Sequence, residues 1–165
     1  MENQPPKHSI RTFSGKYFDF EQMDPDTICI DDIAHALAHI PRWTGHTAQP
    51  YSVGQHCIMA AFAVDSGYKL DALLHDATEA YMNDIARPLK SLLPDYKALE
   101  ERLHGVIAEK FGLISPMPDA VKFQDWTLLW NEYDSVVTGP EAPYAWPASE
   151  VKRVFLELYE NYKRV

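Results

Sequence analysis

A chain of 165 residues with 46% hydrophobic and 12% aromatic side chains can close one domain around a substantial core, and it is too apolar for disorder to be its default. A net charge of -9 argues against a basic nucleic-acid-binding face and against adsorption to an anionic membrane. Two cysteines without a CxxC spacing, Cys29 and Cys57, indicate neither a disulfide scaffold nor a cysteine-based zinc site. With no leader-like N-terminus and no run of about 18 apolar residues, the expectation is a cytoplasmic protein.

Residues 11–30 carry aromatic and β-branched residues on both sides of Met23-Asp24-Pro25-Asp26, so the pattern predicts a small N-terminal β-hairpin turning at 23–26. Asp31 or Asp32 is placed to cap a helix through Ile33, Ala34, Leu37 and Ile40, ending near His39 because Pro41 disfavours helical geometry before it. Residues 41–50 are polar and bracketed by prolines, which predicts a loop exposing Arg42 and Trp43. A helix from Ser52 carries His56 and stops at Gly67. Leu70, Leu73, Leu74, Ala77 and Tyr81 then recur at spacings of three and four, predicting a central helix with His75 and Asp76 at its buried face.

Arg87-Pro88-Leu89-Lys90 breaks that run. Pro94-Asp95 starts a helix with Leu99, Leu103, Val106, Ile107 and Phe111 on one stripe and Gly112 as its C-cap. Pro116 to Pro118 opens another, with Val121, Phe123, Leu128, Leu129 and Val136 inward and Asp125 within it. Residues 140–147 read as a proline-rich loop, and Ser149 caps a last amphipathic helix to Tyr162. The fold class is therefore all-α, a single helical bundle over residues 1–165.

His56, the His75-Asp76 doublet and Asp125 fall on three predicted helices. Taken singly, a mid-helix His is more often a hydrogen-bonded core residue, and a lone Asp more often a solvated one. Two imidazoles and two carboxylates together suit a divalent transition metal or zinc, because a buried charge is costly unless paired or metal-bound. Glu79 lies one turn beyond His75 and either hydrogen-bonds a water or is an ordinary surface acid. Arg42, Lys90 and Lys122 either neutralise phosphate oxygens or are solvated charge. Trp43 stacks on a sugar or base, or anchors its loop.

Tyr51-Ser52-Val53-Gly54-Gln55-His56, Leu74-His75-Asp76-Ala77-Thr78-Glu79-Ala80-Tyr81 with Asp84 and Pro88-Leu89-Lys90, and Lys122 with Asp125 resemble the HD-domain metal-dependent phosphohydrolases over residues 41–130. Within that superfamily, Arg42-Trp43 and the Glu79 and Asp84 spacing look most like the small bacterial 5′-deoxynucleotidases and the phage dATP triphosphohydrolases. The resemblance implies that His56, His75, Asp76 and Asp125 hold a divalent ion (Zn, Co, Mn or Mg), that Glu79 positions or deprotonates the attacking water, and that Asp84 assists the leaving group or phosphate. It departs at Gln124, where relatives carry a small residue. The implied ligand is a small nucleotide, either a monophosphate or a dNTP; self-association is left open. The competing class is a non-catalytic nucleotide-binding fold, which typically lacks a ligand or the acid at position 79.

Overall fold

The computed structural model describes residues 5–139 and 145–164. Strands β1 (Ser9–Arg11) and β2 (Tyr17–Asp19) pair antiparallel with Ile10 opposite Phe18. The hairpin is thus earlier and shorter than its pattern predicted. It turns at Thr12–Lys16, where Gly15 takes φ 91 and the Thr12 N–H reaches the Lys16 carbonyl at 2.8 Å. Met23-Asp24-Pro25-Asp26 instead leads into a 3-10 turn, Pro25–Thr27, capped by Asp24, and Met23 and Ile28 go into the core rather than into a sheet. The hydrophobic run there is a core plug, which has the same composition as a strand but no neighbour to pair with.

Helix α1 (Ile30–His39) buries Ile33, Ala34, Leu37 and Ala38, and ends before Pro41 as expected. Asp32 does not cap it. Its carboxylate accepts from the Ser14 N–H at 2.6 Å and the Ser14 hydroxyl at 2.8 Å, clamping the hairpin turn onto the helix. Helix α2 (Val53–Ala63) starts where its pattern predicted, with the Ser52 hydroxyl capping it by accepting from the Gln55 N–H, and it ends at Ala63, before Gly67. It is buried on nearly every side, which is why its sequence shows no clean apolar stripe.

The predicted central helix is broken in two. Helix α3 (Lys69–Leu73) and the single turn α4 (Glu79–Met82) are separated by turns over 74–78, closed by three-residue hydrogen bonds such as Ala77 N–H to the Leu74 carbonyl and Glu79 N–H to the Asp76 carbonyl. The His75 ring reaches the Ala72 carbonyl at 2.7 Å, so a side chain takes an acceptor that a regular α-turn would give to the Asp76 N–H. Arg87–Lys90 forms the one-turn helix α5, in place of the expected break.

Helix α6 (Pro94–Phe111) ends at Gly112 in the left-handed region, φ 66, as predicted. It buries Leu103 and Ile107 but leaves Leu99 exposed. Helix α7 (Asp119–Glu132) buries Val121, yet Phe123, expected inside, stands in solvent. Helix α8 (Ala148–Tyr162) follows Pro147, so Ser149 lies inside its first turn rather than capping it. Val151 and Phe155 of α8 are fully buried, and the helix packs most extensively against α1. Most of the predicted 140–147 loop lies outside the described residues. Among the described residues, no helix is long and apolar enough to cross a membrane.

Candidate metal centre

The α2 helix, the 74–78 turns and α7 bring all four predicted ligands to one point. His56 Nε2 lies 3.3 Å from His75 Nε2, 3.1 Å from an Asp125 oxygen and 3.7 Å from an Asp76 oxygen. His75 Nε2 is 3.1 Å from the same Asp76 oxygen and 3.7 Å from Asp125. Donor atoms about 2.1 Å from a shared ion sit roughly 3.0 Å apart in an octahedron and roughly 3.4 Å apart in a tetrahedron, so these separations match the edges of a coordination shell. His56, His75 and Asp125 form one such cluster; Cys57, His75 and Asp76 form an overlapping one.

The chemistry of the donor set fits a cation as well as its spacing does. His75 points Nδ1 at the Ala72 carbonyl, an acceptor only, so Nδ1 carries the proton and Nε2 is left with a lone pair. His56 points Nδ1 at a Glu132 oxygen 2.6 Å away, with the same result. Two lone pairs and two carboxylates therefore face one another, an arrangement that requires a positive charge between them. Without an ion a proton supplies it. Burial opposes charging of His75, but the charge of Asp76 and the hydrogen bonds that the ring donates to Asp125 and Asp76 push its pKa well above the usual imidazole value. Burial likewise opposes ionisation of Asp125, and the hydrogen bonds to His56 and His75 hold its carboxylate far below the usual range.

Glu132, which the sequence reading missed, organises this floor. One oxygen accepts from His56 and from the Tyr51 hydroxyl at 3.0 Å; the other accepts from Arg42 Nε at 2.9 Å. The signal was available: Glu132 sits seven residues after Asp125, two turns along the same helix face. It also corrects the expectation for Arg42. The guanidinium is buried, not exposed, and its partners are Glu132 and, at 3.8 Å, Asp76. Its chain segment is unusual: Trp43 and Thr44 both adopt positive φ, 57 and 53, and Trp43 meets Tyr133 with ring centroids 5.7 Å apart.

Above the cluster opens a cavity of about 1310 Å³. His75, Asp76 and Asp125 lie at its floor, with Glu79, Asp84, Arg42, Trp43, Lys90 and Lys122 in its walls, so every remaining predicted site residue faces it. Glu79 is buried, and among the described residues its Oε2 has no hydrogen-bond partner. Burial raises its pKa well above the ordinary carboxyl value, and the charges of Asp76 and Asp84 add to the effect. Asp84 is raised too, by burial first, against the pull of Arg42. Lys90 is held by Glu100 at 2.7 Å and Lys122 by Asp119 at 3.2 Å. Arg87, His104, Trp126, Trp130 and Tyr133 also line the cavity and were not singled out from sequence.

No known family model matches the chain. It is similar to the uncharacterized protein YfdR of Escherichia coli (strain K12), 44% identical over 141 residues that cover 86% of this chain and 78% of that one. It is also similar to the uncharacterized protein RCAP_rcc00048 of Rhodobacter capsulatus, 35% identical over 122 residues covering 68% of this chain and 62% of that one.

Proposed function

The chain belongs to the same family as YfdR, and we propose that it is an HD-type, divalent-metal-dependent phosphohydrolase cleaving the monoester of a 2′-deoxynucleoside 5′-monophosphate. The observation that carries this reading is the convergence of His56, His75, Asp76 and Asp125 beneath a cavity with ample room for a nucleotide, with an uncommitted Glu79 oxygen in its wall. An ion held by those four residues supplies a water of lowered pKa and a Lewis acid for the phosphoryl oxygens. Glu79 Oε2, having no other partner, takes a proton from the attacking water as the new oxygen–phosphorus bond forms. The bond to O5′ breaks, and the departing alkoxide takes a proton from Asp84, which stands in the wall of the same cavity. Solvent returns the proton from Glu79 to Asp84.

Charge favours a monoester over a triphosphate. Asp76, Glu79, Asp84, Glu100, Glu101 and Asp125 face the cavity against Arg42, Arg87, Lys90 and Lys122. Three of those cations already have carboxylate partners in Glu132, Glu100 and Asp119. A triphosphate tail brings further negative charge with little uncommitted basic surface to receive it. Trp43 supports the 2′-deoxy preference: a hydroxyl pressed against its indole loses water without gaining a partner, at about 1–3 kcal/mol or roughly 5- to 150-fold in kcat/KM.

The test is release of inorganic phosphate, and of triphosphate, from dNMPs, NMPs and dNTPs with Mn²⁺, Co²⁺, Mg²⁺ or Zn²⁺. The expected result is phosphate from dNMPs, with ribonucleotides slower and Trp43→Ala narrowing that gap. Glu79→Ala should keep its metal while turnover falls roughly 100-fold or more. Exclusive release of triphosphate from dNTPs would replace the monoester reading, and no release with any ion would leave a non-catalytic nucleotide-binding fold.

A further inference from the structure

Helix α7 and its C-cap residue Tyr133 carry a row of aromatic side chains that the core does not use. Phe123, Trp126, Trp130 and Tyr133 recur at spacings of three, four and three, which places them on one face, and all four are exposed, Trp130 at 52%. An apolar row of this size marks a binding surface. Its location says of what kind: Trp126, Trp130 and Tyr133 line the same cavity as Asp76, Glu79 and Asp125, so the row continues the wall of the metal cluster. The rings meet edge to face, Trp126 to Trp130 at 5.6 Å and 78°, Trp130 to Tyr133 at 6.3 Å and 72°. None stacks flat on its neighbour, so planar π surface stays open. Arg87 sits over the Trp126 ring at 5.3 Å, whereas among the described residues no cation lies over Trp130, the more exposed indole of the two.

We propose that Trp130, flanked by Trp126 and Tyr133, is the platform on which the nucleobase of the substrate stacks. Trp130 follows Asp125 by five residues, about 7.5 Å along the helix axis, a gap that the sugar of a nucleotide bridges when its phosphate lies over the cluster. Such a platform is tolerant of base identity because each base has a π face, and it favours purines, which offer more area. The inference rests on the nucleotide reading above but not on turnover.

Two measurements separate the two claims. Calorimetric Kd values for dAMP, dCMP and 2-deoxyribose 5-phosphate are compared in the metal-loaded Glu79→Gln protein, with Trp130 intact, changed to Phe, or changed to Ala. KM values for the same compounds are compared with Glu79 intact. Stacking lost to alanine should weaken dAMP relative to 2-deoxyribose 5-phosphate by roughly 5- to 150-fold, dCMP less, with Trp130→Phe in between. If the base gives no advantage in the intact protein, or if Trp130→Ala leaves the ratio unchanged, the platform is overturned while the phosphohydrolase reading stands. If Trp130→Ala instead only dissociates an oligomer, the face is a contact between copies and the proposal falls. Base-dependent binding lost in Trp130→Ala, with no cleavage of any nucleotide, would uphold the platform and sink the hydrolase.

Discussion

Glu132 does for His56 what the Ala72 carbonyl does for His75: each holds the Nδ1 proton and so turns Nε2 toward the cluster. The two holders differ in charge. A backbone carbonyl is fixed by the fold, whereas the Glu132 carboxylate is itself buried and depends on Arg42 and Tyr51 for its remaining bonds. Glu132→Gln keeps an acceptor for His56 but removes the counter-charge of a buried guanidinium, so divalent-metal affinity should fall about 10- to 100-fold by calorimetry. Unchanged affinity would confine Glu132 to holding Arg42. Glu79 offers a second test. With its folded pKa raised above the ordinary value of 4.5, the native state binds the proton more tightly than the unfolded chain does, so stability is lost as pH climbs past 4.5 toward the raised pKa. In the metal-free protein Glu79→Gln should therefore raise Tm at pH 7 and lose that advantage near pH 4. A Tm gain of equal size at both pH values would show that its cause is packing and not charge.

Helix α2 is positioned by Gly54, two residues before His56. A Cβ built there lies 2.7 Å from Val151 Cγ1 and 3.1 Å from the Ala38 nitrogen and the Leu37 carbonyl carbon. Alanine in a helix interior is worth about 1 kcal/mol over glycine, but overpacking against two backbone atoms costs about 1–3 kcal/mol, so the clash wins. Gly54→Ala should lower Tm and weaken metal binding together, because moving α2 off α1 and α8 moves His56; a Tm increase would mean that Val151 simply rotates away. The elements legible in the sequence were those set by local chemistry: the start of α2 at Ser52, the α6 stop at Gly112 and the end of α1 before Pro41. What local pattern could not give was long-range partnership. The ring of His75 interrupts a helix whose apolar period runs on unbroken through Tyr81, and Phe123 keeps that period on α7 while facing solvent. The four ligands were readable as residue types on three helices. Their common floor was not, since Glu132 and Arg42 meet across ninety positions of sequence.

At the scale of the whole molecule, the cluster is a junction between distant stretches of chain: position 56 on α2, 75 and 76 between α3 and α4, and 125 on α7. Folding gathers their negative groups into one volume of a chain that already carries a net charge of -9, and a bound divalent ion removes that repulsion while tying the three stretches together. An ion that binds only the folded state at 100 times its Kd adds about 2.7 kcal/mol to stability. For a chain of this length, each kcal/mol raises Tm by about 2–4 °C, so saturating Mn²⁺ or Zn²⁺ should raise Tm by roughly 5–11 °C over the chelator-treated protein. The shift should vanish in His75→Ala and Asp125→Ala, each of which removes one ligand from a different stretch. A rise that persists in both variants would place the stabilising ion on the acidic surface, and the cluster would then be a hydrogen-bonded core.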